Sequence, residues 1–287
     1  MPELPEVEGI RGFLAEHLTG RAFARIELLS FTALKTFTPP LEALLGLEID
    51  AVTRHGKFLN ISAQGVHLVF HLARAGWLRW YDRLPAGTPR PGKQPVALRV
   101  GLDDDSGFDL TEAGTQRRLA VYVASSPTDV PGIASLGPDP LSSDFTADNF
   151  AEILSAAGRA QIKGVLRDQS RLAGIGNAYS DEILHAARLS PFQPASGLDA
   201  DARAALFDTL REVLSEAISV AAGRPPAELK DAKRSGMRVH GRTGQPCPAC
   251  QTPIAEVSFA DSSLQYCPTC QTGGKKLADR RMSRLLK

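Results

Sequence analysis

The sequence predicts an α+β protein whose strands lie in the first half, whose helices follow, and whose cysteines close the chain. Short apolar runs separated by Gly, Asp and Pro turns recur between residues 22 and 123, a pattern typical of a sandwich or a barrel. After residue 144 the apolar residues return at helical spacing. All four cysteines follow residue 246, as two Cys-x2-Cys pairs. With 287 residues, the chain is long enough for about two domains.

The first residues are the candidate for covalent chemistry. Met1 precedes Pro2-Glu3-Leu4-Pro5-Glu6, and removal of Met1 would leave Pro2 as a secondary amine. Such an amine attacks a sugar C1′ and forms a charged iminium. Glu3 and Glu6 can move the protons that this attack requires. The alternative is an ordinary helix start, because Pro suits a first helical turn and Glu favours the helix dipole.

A helix and a set of strands are predicted after this segment. Gly20 is expected to end the helix, whose apolar face is formed by Val7, Ile10, Leu14 and Leu18. Pro2 would lie at the positive end of this helix, which lowers the pKa of its amine. Strands are predicted at 58–62, 66–70, 96–100 and 119–123, and the Pro-rich stretch 84–94 is predicted as a surface loop.

The second half is predicted to be helical after a Pro/Gly/Ser-rich linker at 131–144. Helices are expected after Thr146, at 161–168, at 178–188 and within 198–222. Between two of them lies Gly174-Ile-Gly-Asn177. Glycines let a partner approach the backbone, and the following helix offers N–H groups to a phosphate. An ordinary tight turn between helices explains the same residues.

The cysteines predict one structural zinc ion. Cys247, Cys250, Cys267 and Cys270 give the spacing C-x2-C-x16-C-x2-C, which matches zinc ribbons. Four thiolates leave no ligand position for water, so the metal is expected to be structural. Two disulfides are the alternative, although a cytosolic compartment keeps thiols reduced. The cytoplasm is predicted because no secretory signal and no apolar run of about 18 residues is present.

The charge distribution is asymmetric. The formal net charge is only +1, but residues 230–287 hold eleven Lys/Arg against four Asp/Glu. This excess predicts a C-terminal module that binds a polyanion, and a solvated basic tail is the alternative.

Several motifs occur in an order that resembles the bacterial formamidopyrimidine-DNA glycosylase/endonuclease VIII family over essentially the whole chain. They are Pro-Glu-Leu-Pro-Glu-Val-Glu at 2–8, Arg54-x-Gly-Lys57, His71-Leu72, Gly174-Ile-Gly-Asn177-Ala-Tyr-x-Asp-Glu182, His240-Gly-Arg242-x-Gly244-x-Pro-Cys247 and the cysteine pairs. The resemblance implies a β-sandwich with an N-terminal helix at 1–130, a linker at 131–144, a helix–two-turn–helix region at 145–230, and a zinc finger with a basic tail at 231–287.

The resemblance also implies base-excision repair by a bifunctional DNA glycosylase and apurinic/apyrimidinic (AP) lyase. Pro2 attacks C1′ of a flipped nucleotide, Glu3 protonates the opening sugar, Glu6 supports the site, and Lys57 contacts the lesion and its phosphate. The expected partner is double-stranded damaged or abasic DNA, bound by a monomer with one zinc ion. The expected DNA contacts are His71, Arg74, Arg117, Leu119, Lys163, Gly176, Asn177, His240 and Arg242.

The chain departs from the family's pattern where damage is read. Arg74 stands at a usual methionine, Leu119 at a usual phenylalanine, and Ser262 at a usual finger arginine. The basic residues 275–281 are a candidate replacement for that arginine. The segment 223–239 is short, which resembles the endonuclease VIII branch, whereas the N-terminus resembles the formamidopyrimidine branch. The preferred lesion is therefore left open.

Two other functions compete with the glycosylase. A damage sensor or AP-site binder with little base excision would fit the altered reading residues. A zinc-ribbon protein of translation or transcription would explain the cysteines but not the N-terminus.

Overall fold

The structure is a computed structural model that describes residues 1–89, 95–259 and 262–277. The chain forms two compact units. The first comprises Met1–Leu136 together with Val220–Ala232, and the second comprises Gly137–Ser219 and the chain from Lys233 onward. The helical region and the cysteine module thus fall within one unit, while a short returning segment joins the strands.

The first unit begins with helix α1 (Leu4–Leu18), as its apolar spacing predicts. The four residues that define this spacing are all buried, namely Val7, Ile10, Leu14 and Leu18. Gly20 follows at φ +79°, a left-handed conformation that glycine adopts without strain. The helix therefore buries one face and presents its first turn at a fixed place beside the strands.

Eight strands of the first unit form two antiparallel four-stranded sheets. They are β1 (Phe23–Leu28), β2 (Ala51–His55), β3 (Phe58–Ala63), β4 (Val66–His71), β5 (Gly76–Tyr81), β6 (Val96–Leu102), β7 (Gly107–Glu112) and β8 (Ala120–Ala124). One sheet has the order β1-β6-β7-β5 and the other β2-β3-β4-β8. Side chains from both sheets and from α1 share one core, so the fold is a sandwich rather than a barrel.

The predicted strands agree with the observed ones to within about two residues, but two other predictions need comment. The predicted linker contains helix α2 (Pro131–Ala134), whose Ile133 packs with Val69 of β4. A single turn is too short to show periodicity in the sequence. The predicted loop 84–94 is described only up to residue 89, so its remainder lies outside the described residues.

The second unit is mainly helical and contains a small hairpin near its C-terminal end. Its helices are α3 (Ala147–Ala157), α4 (Ile162–Arg167), α5 (Asn177–Ala186), α6 (Ala200–Ala221), α7 (Leu229–Gly236) and α8 (Pro268–Thr272), and its strands are β9 (Ala255–Ser258) and β10 (Ser263–Tyr266). The last part of α6 and the start of α7 belong to the first unit. Thr146 caps α3 by accepting the N–H of Asn149, as expected for a Thr at that position.

The segment between α6 and α7 belongs to the first unit and packs against its strands and α1. The indole Nε1 of Trp77 donates to the carbonyl of Pro226 at 3.0 Å, and the Lys230 ammonium lies 4.3 Å from the centre of the Trp77 ring. Leu229 is buried, and a Cβ added to Gly9 of α1 would lie 3.2 Å from it. This short segment is thus a packed connection.

No helix among the described residues is long and apolar enough to cross a membrane.

Candidate active site and zinc finger

The start of α1 holds the candidate catalytic segment in a fixed conformation. Glu3 is the N-cap, and its backbone N–H donates to Glu6 Oε2 at 2.9 Å. The Glu3 carboxylate accepts the N–H of Glu6 in return, which completes a capping box. Pro2 is buried, and each of the two carboxylates is only 3% exposed. Helix capping and the predicted chemistry therefore use the same residues.

Lys57 lies in the tight turn that joins β2 to β3, where His55 pairs with Phe58. Gly56 precedes it at φ +55°, the left-handed conformation that such two-residue turns require. Lys57 is only 8% exposed, whereas a lysine at a strand end is ordinarily in solvent. Its burial is a structural reason to regard Lys57 as a functional residue.

Arg54 joins this turn to α1. Its Nε donates to Glu8 Oε2 at 2.8 Å, and its Nη1 donates to the carbonyl of Gly56 at 3.2 Å. Burial alone would raise the pKa of Glu8, but hydrogen bonds and charge from Arg54 and Arg11 outweigh it and hold that pKa below its usual range. Glu8 therefore stays ionised, and the ion pair fixes the Lys57 turn relative to the helix that carries Pro2.

His71 ends β4 at the position that pairs with Phe58, next to the Lys57 turn. Burial and then the positive charge of Lys57 lower the pKa of His71 to about 4. Its Nδ1 accepts the N–H of Ala73 at 3.2 Å. The ring is therefore neutral at physiological pH, with its proton on Nε2.

Two adjacent loops carry the predicted DNA-contacting arginines. Arg74 lies in the turn between β4 and β5, Arg117 lies in the loop between β7 and β8, and both are exposed. Ala113 N–H donates to the carbonyl of Ala75 at 3.2 Å and joins the loops. The Glu112 carboxylate accepts the N–H groups of Arg118 and Leu119 at 2.7 and 3.0 Å. Both arginines thus lie on loops whose backbones are held by hydrogen bonds.

Leu119 differs from its neighbours because its side chain is 2% exposed and belongs to the core of the first unit. A contact between Leu119 and DNA stays a prediction, and it would require the loop to leave the arrangement that Glu112 holds. The turn opposite is equally constrained. A Cβ added to Gly76 would lie 2.2 Å from the carbonyl oxygen of Leu72, so only glycine fits there.

Lys163 of α4 is used inside the second unit. Its ammonium donates to Asp181 Oδ1 at 2.6 Å, to Ser180 Oγ at 2.7 Å and to the carbonyl of Asn177 at 3.1 Å. Only 6% of the residue is exposed. Since an ammonium has three protons, these bonds saturate it. Lys163 stabilises the start of α5, and its direct contact with DNA stays a prediction.

Asn177 begins α5, with Gly176 as the N-cap. Asn177 Nδ2 donates to the carbonyl of Ser263 at 2.7 Å, while its Oδ1 is buried and has no hydrogen-bond partner among the described residues. Gln169 holds the preceding loop, because its side chain accepts the N–H of Gly174 and donates to the carbonyl of Ile175. These hydrogen bonds hold the loop in place before the N-terminus of α5, where backbone N–H groups favour a phosphate.

Two buried carboxylates that the sequence interpretation left without a role bind the rest of the unit to α5. Asp181 Oδ2 accepts His240 Nδ1 at 2.8 Å and the N–H of Gln265 at 3.2 Å. The Glu182 carboxylate accepts the N–H groups of Arg238, Val239 and His240 at 2.7, 3.0 and 2.8 Å. Two adjacent carboxylates in a helix with no other acidic residue were the available signal, since buried carboxylates need partners.

His240 is thus placed by Asp181 and Glu182. Arg242 Nη2 donates to the carbonyl of Arg234 at 3.0 Å, and its Nη1 donates to Gln245 at 3.1 Å. Ser262, which stands at the expected finger arginine, accepts the N–H of Phe259 through its carbonyl at 2.7 Å. Lys275 and Lys276 are exposed, whereas Arg280 and Arg281 lie outside the described residues.

The four cysteines form the zinc site. Their sulfurs all lie within 4.8 Å of one another, and the described structure holds no disulfide between them. Two Sγ–Sγ distances are 3.3 Å, between Cys250 and Cys267, and 3.9 Å, between Cys247 and Cys270. A tetrahedral zinc with Zn–S bonds of about 2.3 Å requires sulfurs about 3.8 Å apart. The donor set therefore fits one structural zinc ion and excludes the disulfide alternative.

The comparisons with known families agree with this geometry. The formamidopyrimidine-DNA glycosylase N-terminal domain matches residues 1–120, the formamidopyrimidine-DNA glycosylase H2TH domain matches 136–225, and the zinc finger found in FPG and IleRS matches 244–273. The chain belongs to the formamidopyrimidine-DNA glycosylase family, whose members are bifunctional glycosylase/AP lyases. The predicted family, fold class and zinc ion are confirmed.

Individual relatives extend the match along the chain. A formamidopyrimidine-DNA glycosylase of Herpetosiphon aurantiacus is 34% identical and covers 94% of this chain and 100% of its own. An uncharacterized glycosylase-like protein of Mycobacterium tuberculosis is 56% identical over 153 residues, which are 53% of this chain and 95% of that protein. Among solved structures, MutM with DNA containing carbocyclic 8-oxo-G has a TM-score of 0.81, 27% identity and coverage of 94% and 100%. The Lactococcus lactis enzyme with AP-site DNA has a TM-score of 0.79, 26% identity and coverage of 94% and 99%.

Proposed function

We propose that this protein removes damaged bases from double-stranded DNA and cuts the strand at the resulting or pre-existing abasic site. The observation that carries the proposal is the N-terminal arrangement. Pro2 precedes the capping box that begins α1, in which the carboxylates of Glu3 and Glu6 are buried. Arg54 joins the same helix to the turn that holds the buried Lys57. The DNA-bound structures of related enzymes support damaged DNA as the ligand.

The chemistry begins at the sugar. A base inside the stack is out of reach, so the nucleotide is flipped out, at a cost of a few kcal/mol that is lower for damaged pairs. With Met1 removed, the lone pair of the Pro2 nitrogen attacks C1′ as the bond to the base breaks. The N–H proton of Pro2 passes to the departing base, Glu3 protonates O4′ as the C1′–O4′ bond opens, and the nitrogen becomes a cationic iminium. The iminium then promotes loss of a C2′ proton and of the 3′ phosphate, which cuts the strand.

The roles of the other residues follow from their placement. Lys57 has the charge to hold the phosphate beside the lesion, and Glu6 keeps the Glu3 backbone in place. In the second unit, Asn177 and the Gly174–Gly176 loop suit a phosphate of the DNA backbone, and Asp181 with Glu182 keeps that loop and His240 together. Zinc, when bound, orders the finger and takes no part in bond breaking.

The test is incision of duplexes that contain one lesion each. We expect efficient cleavage at a bare abasic site and weak excision of 8-oxoguanine, because Arg74, the buried Leu119 and Ser262 replace residues that commonly read damage. Pro2→Gly should abolish incision while binding to abasic DNA persists. Strong excision of 8-oxoguanine opposite cytosine would contradict the expected substrate preference but not the nucleophile.

The damage sensor is the second candidate, and the same altered residues favour it. A sensor would bind abasic or damaged duplexes tightly, with affinity that falls steeply as salt rises, and would leave them uncut. Incision by the wild type that Pro2→Gly removes therefore decides for the enzyme. Salt-sensitive binding without any incision decides for the sensor.

A further inference from the structure

One face of α5 carries a row of contacts to the region that holds the cysteines. Asn177 and Asp181 bond to the hairpin residues Ser263 and Gln265, as described above. One turn further on, His185 Nε2 lies 3.3 Å from the sulfur of Cys247. Beyond the end of the helix, the carbonyl of Leu189 accepts Gln271 Nε2 at 2.9 Å. The spacing of four residues places the members of this row on one side of the helix and its extension.

The position of His185 fixes where its ring proton lies. His185 is 6% exposed and Cys247 is fully buried. The other ring nitrogen, Nδ1, is also buried and has no hydrogen-bond partner among the described residues. A proton on Nδ1 would be buried without an acceptor, and the Nε2 lone pair would then face a thiolate. A proton on Nε2 avoids both costs and makes an N–H donor to sulfur.

We propose that His185 is a positioning residue of the zinc site, which donates Nε2–H to the Cys247 thiolate and so retains the metal. Four thiolates around Zn²⁺ leave a net charge of −2, and a donor to sulfur withdraws part of that charge inside a buried site. The hydrogen bond also attaches the finger to the helix that begins at Asn177. His185 is not a fifth ligand, because the sulfurs of the four cysteines cluster without it.

The experiment compares zinc retention in the full-length zinc protein and its variants. His185→Phe keeps a ring of similar size without the donor, whereas His185→Gln places an amide N–H near the position of Nε2–H. His17→Phe, on α1, is the matched control. Competition with a chromophoric chelator gives the zinc affinity. We expect His185→Phe to weaken it about 10- to 100-fold, as outer-shell partners of metal ligands typically do, and His185→Gln to stay within about threefold of the wild type.

A second readout reports on the sulfur itself. In the cobalt-substituted protein, loss of an N–H donor raises the energy of the sulfur lone pairs, so the sulfur-to-cobalt charge-transfer band should move to longer wavelength in His185→Phe and return in His185→Gln. If the Phe variant does not fold, His185→Asn replaces it, because its amide is too short to reach the sulfur. Unchanged zinc affinity and spectrum in the variant without the donor would overturn the proposal. Equal loss in both variants with an unchanged spectrum would do so too.

Discussion

Removal of the Glu182 carboxylate should destabilise the second unit more than the loss of an exposed ion pair does. The carboxylate is 3% exposed and accepts three backbone N–H groups, those of residues 238, 239 and 240. Glu182→Ala leaves three donors without an acceptor. Each buried unsatisfied donor costs about 1–3 kcal/mol, and some relaxation to water reduces the sum, so we expect a loss of about 3–5 kcal/mol.

Two measurements are made, the Tm from thermal unfolding and the amide hydrogen exchange of the folded protein. In a protein of this size each kcal/mol shifts the Tm by about 2–4 °C, so the expected fall is roughly 10 °C. The amides of Arg238, Val239 and His240 should lose their exchange protection first. Glu182→Gln should give an intermediate loss, because its carbonyl still accepts while its NH2 group faces N–H donors.

The matched control lies close to the same backbone. Glu216 pairs with the side chain of Arg238 at 2.9 Å, but the Glu216 side chain is 59% exposed. Such exposed pairs contribute about 0–1 kcal/mol, so Glu216→Ala should unfold within about 2 °C of the wild type. Equal effects of Glu182→Ala and Glu216→Ala would refute the view that the buried carboxylate holds this segment.

Three further outcomes are expected. Gly76→Ala should lower the free energy of unfolding by about 3 kcal/mol, because the added Cβ would collide with the Leu72 carbonyl. Gly12→Ala is the control, because a Cβ at this position of α1 meets open space, and it should be neutral or stabilising by about 0.5–1 kcal/mol. Denaturant titration measures both changes. The neutral His71 contributes stability above pH 6.5 that is lost as pH falls towards 4, because the unfolded chain takes up the proton first. The free energy of unfolding is measured against pH in the wild type and in His71→Gln. A free energy that does not change between these pH values in the wild type, or a pH dependence that His71→Gln leaves unchanged, would be inconsistent with the lowered pKa. Chelation of zinc should unfold the finger and abolish protection of the β9–β10 amides, and Cys247→Ala should mimic it; retained protection after metal loss would show that the hairpin folds alone.

The sequence predicts those features that depend on local spacing. The apolar period of α1 and the alternation in β3 and β4 reflect burial of one face, which a short window of residues records. The cysteine pairs predict the zinc site for a similar reason, because the metal geometry demands tight turns of fixed length. Helix α7 was not predicted, since mostly polar residues such as Lys230, Asp231 and Lys233 obscure it.

Features that depend on distant partners were not visible in the sequence. Lys163 resembles any exposed lysine until Asp181, eighteen residues away, is found to bond it in the interior. Leu119 is predicted from the resemblance to contact DNA, but its side chain packs in the core and its backbone N–H donates to the Glu112 carboxylate. The contact between His185 and Cys247 spans 62 residues and has no local signature. Burial and pairing of polar groups are tertiary properties, which spacing alone does not determine.

Borohydride trapping shows whether the Pro2 amine is the nucleophile. Wild-type protein and duplex DNA with one abasic site are mixed with sodium borohydride, which reduces an iminium to a stable amine. We expect a covalent adduct whose mass maps to a peptide that begins at Pro2, and no adduct with Pro2→Gly under conditions where the variant still binds the DNA. Trapping that survives Pro2→Gly, or an adduct that maps to Lys57, would show that Pro2 is not the nucleophile.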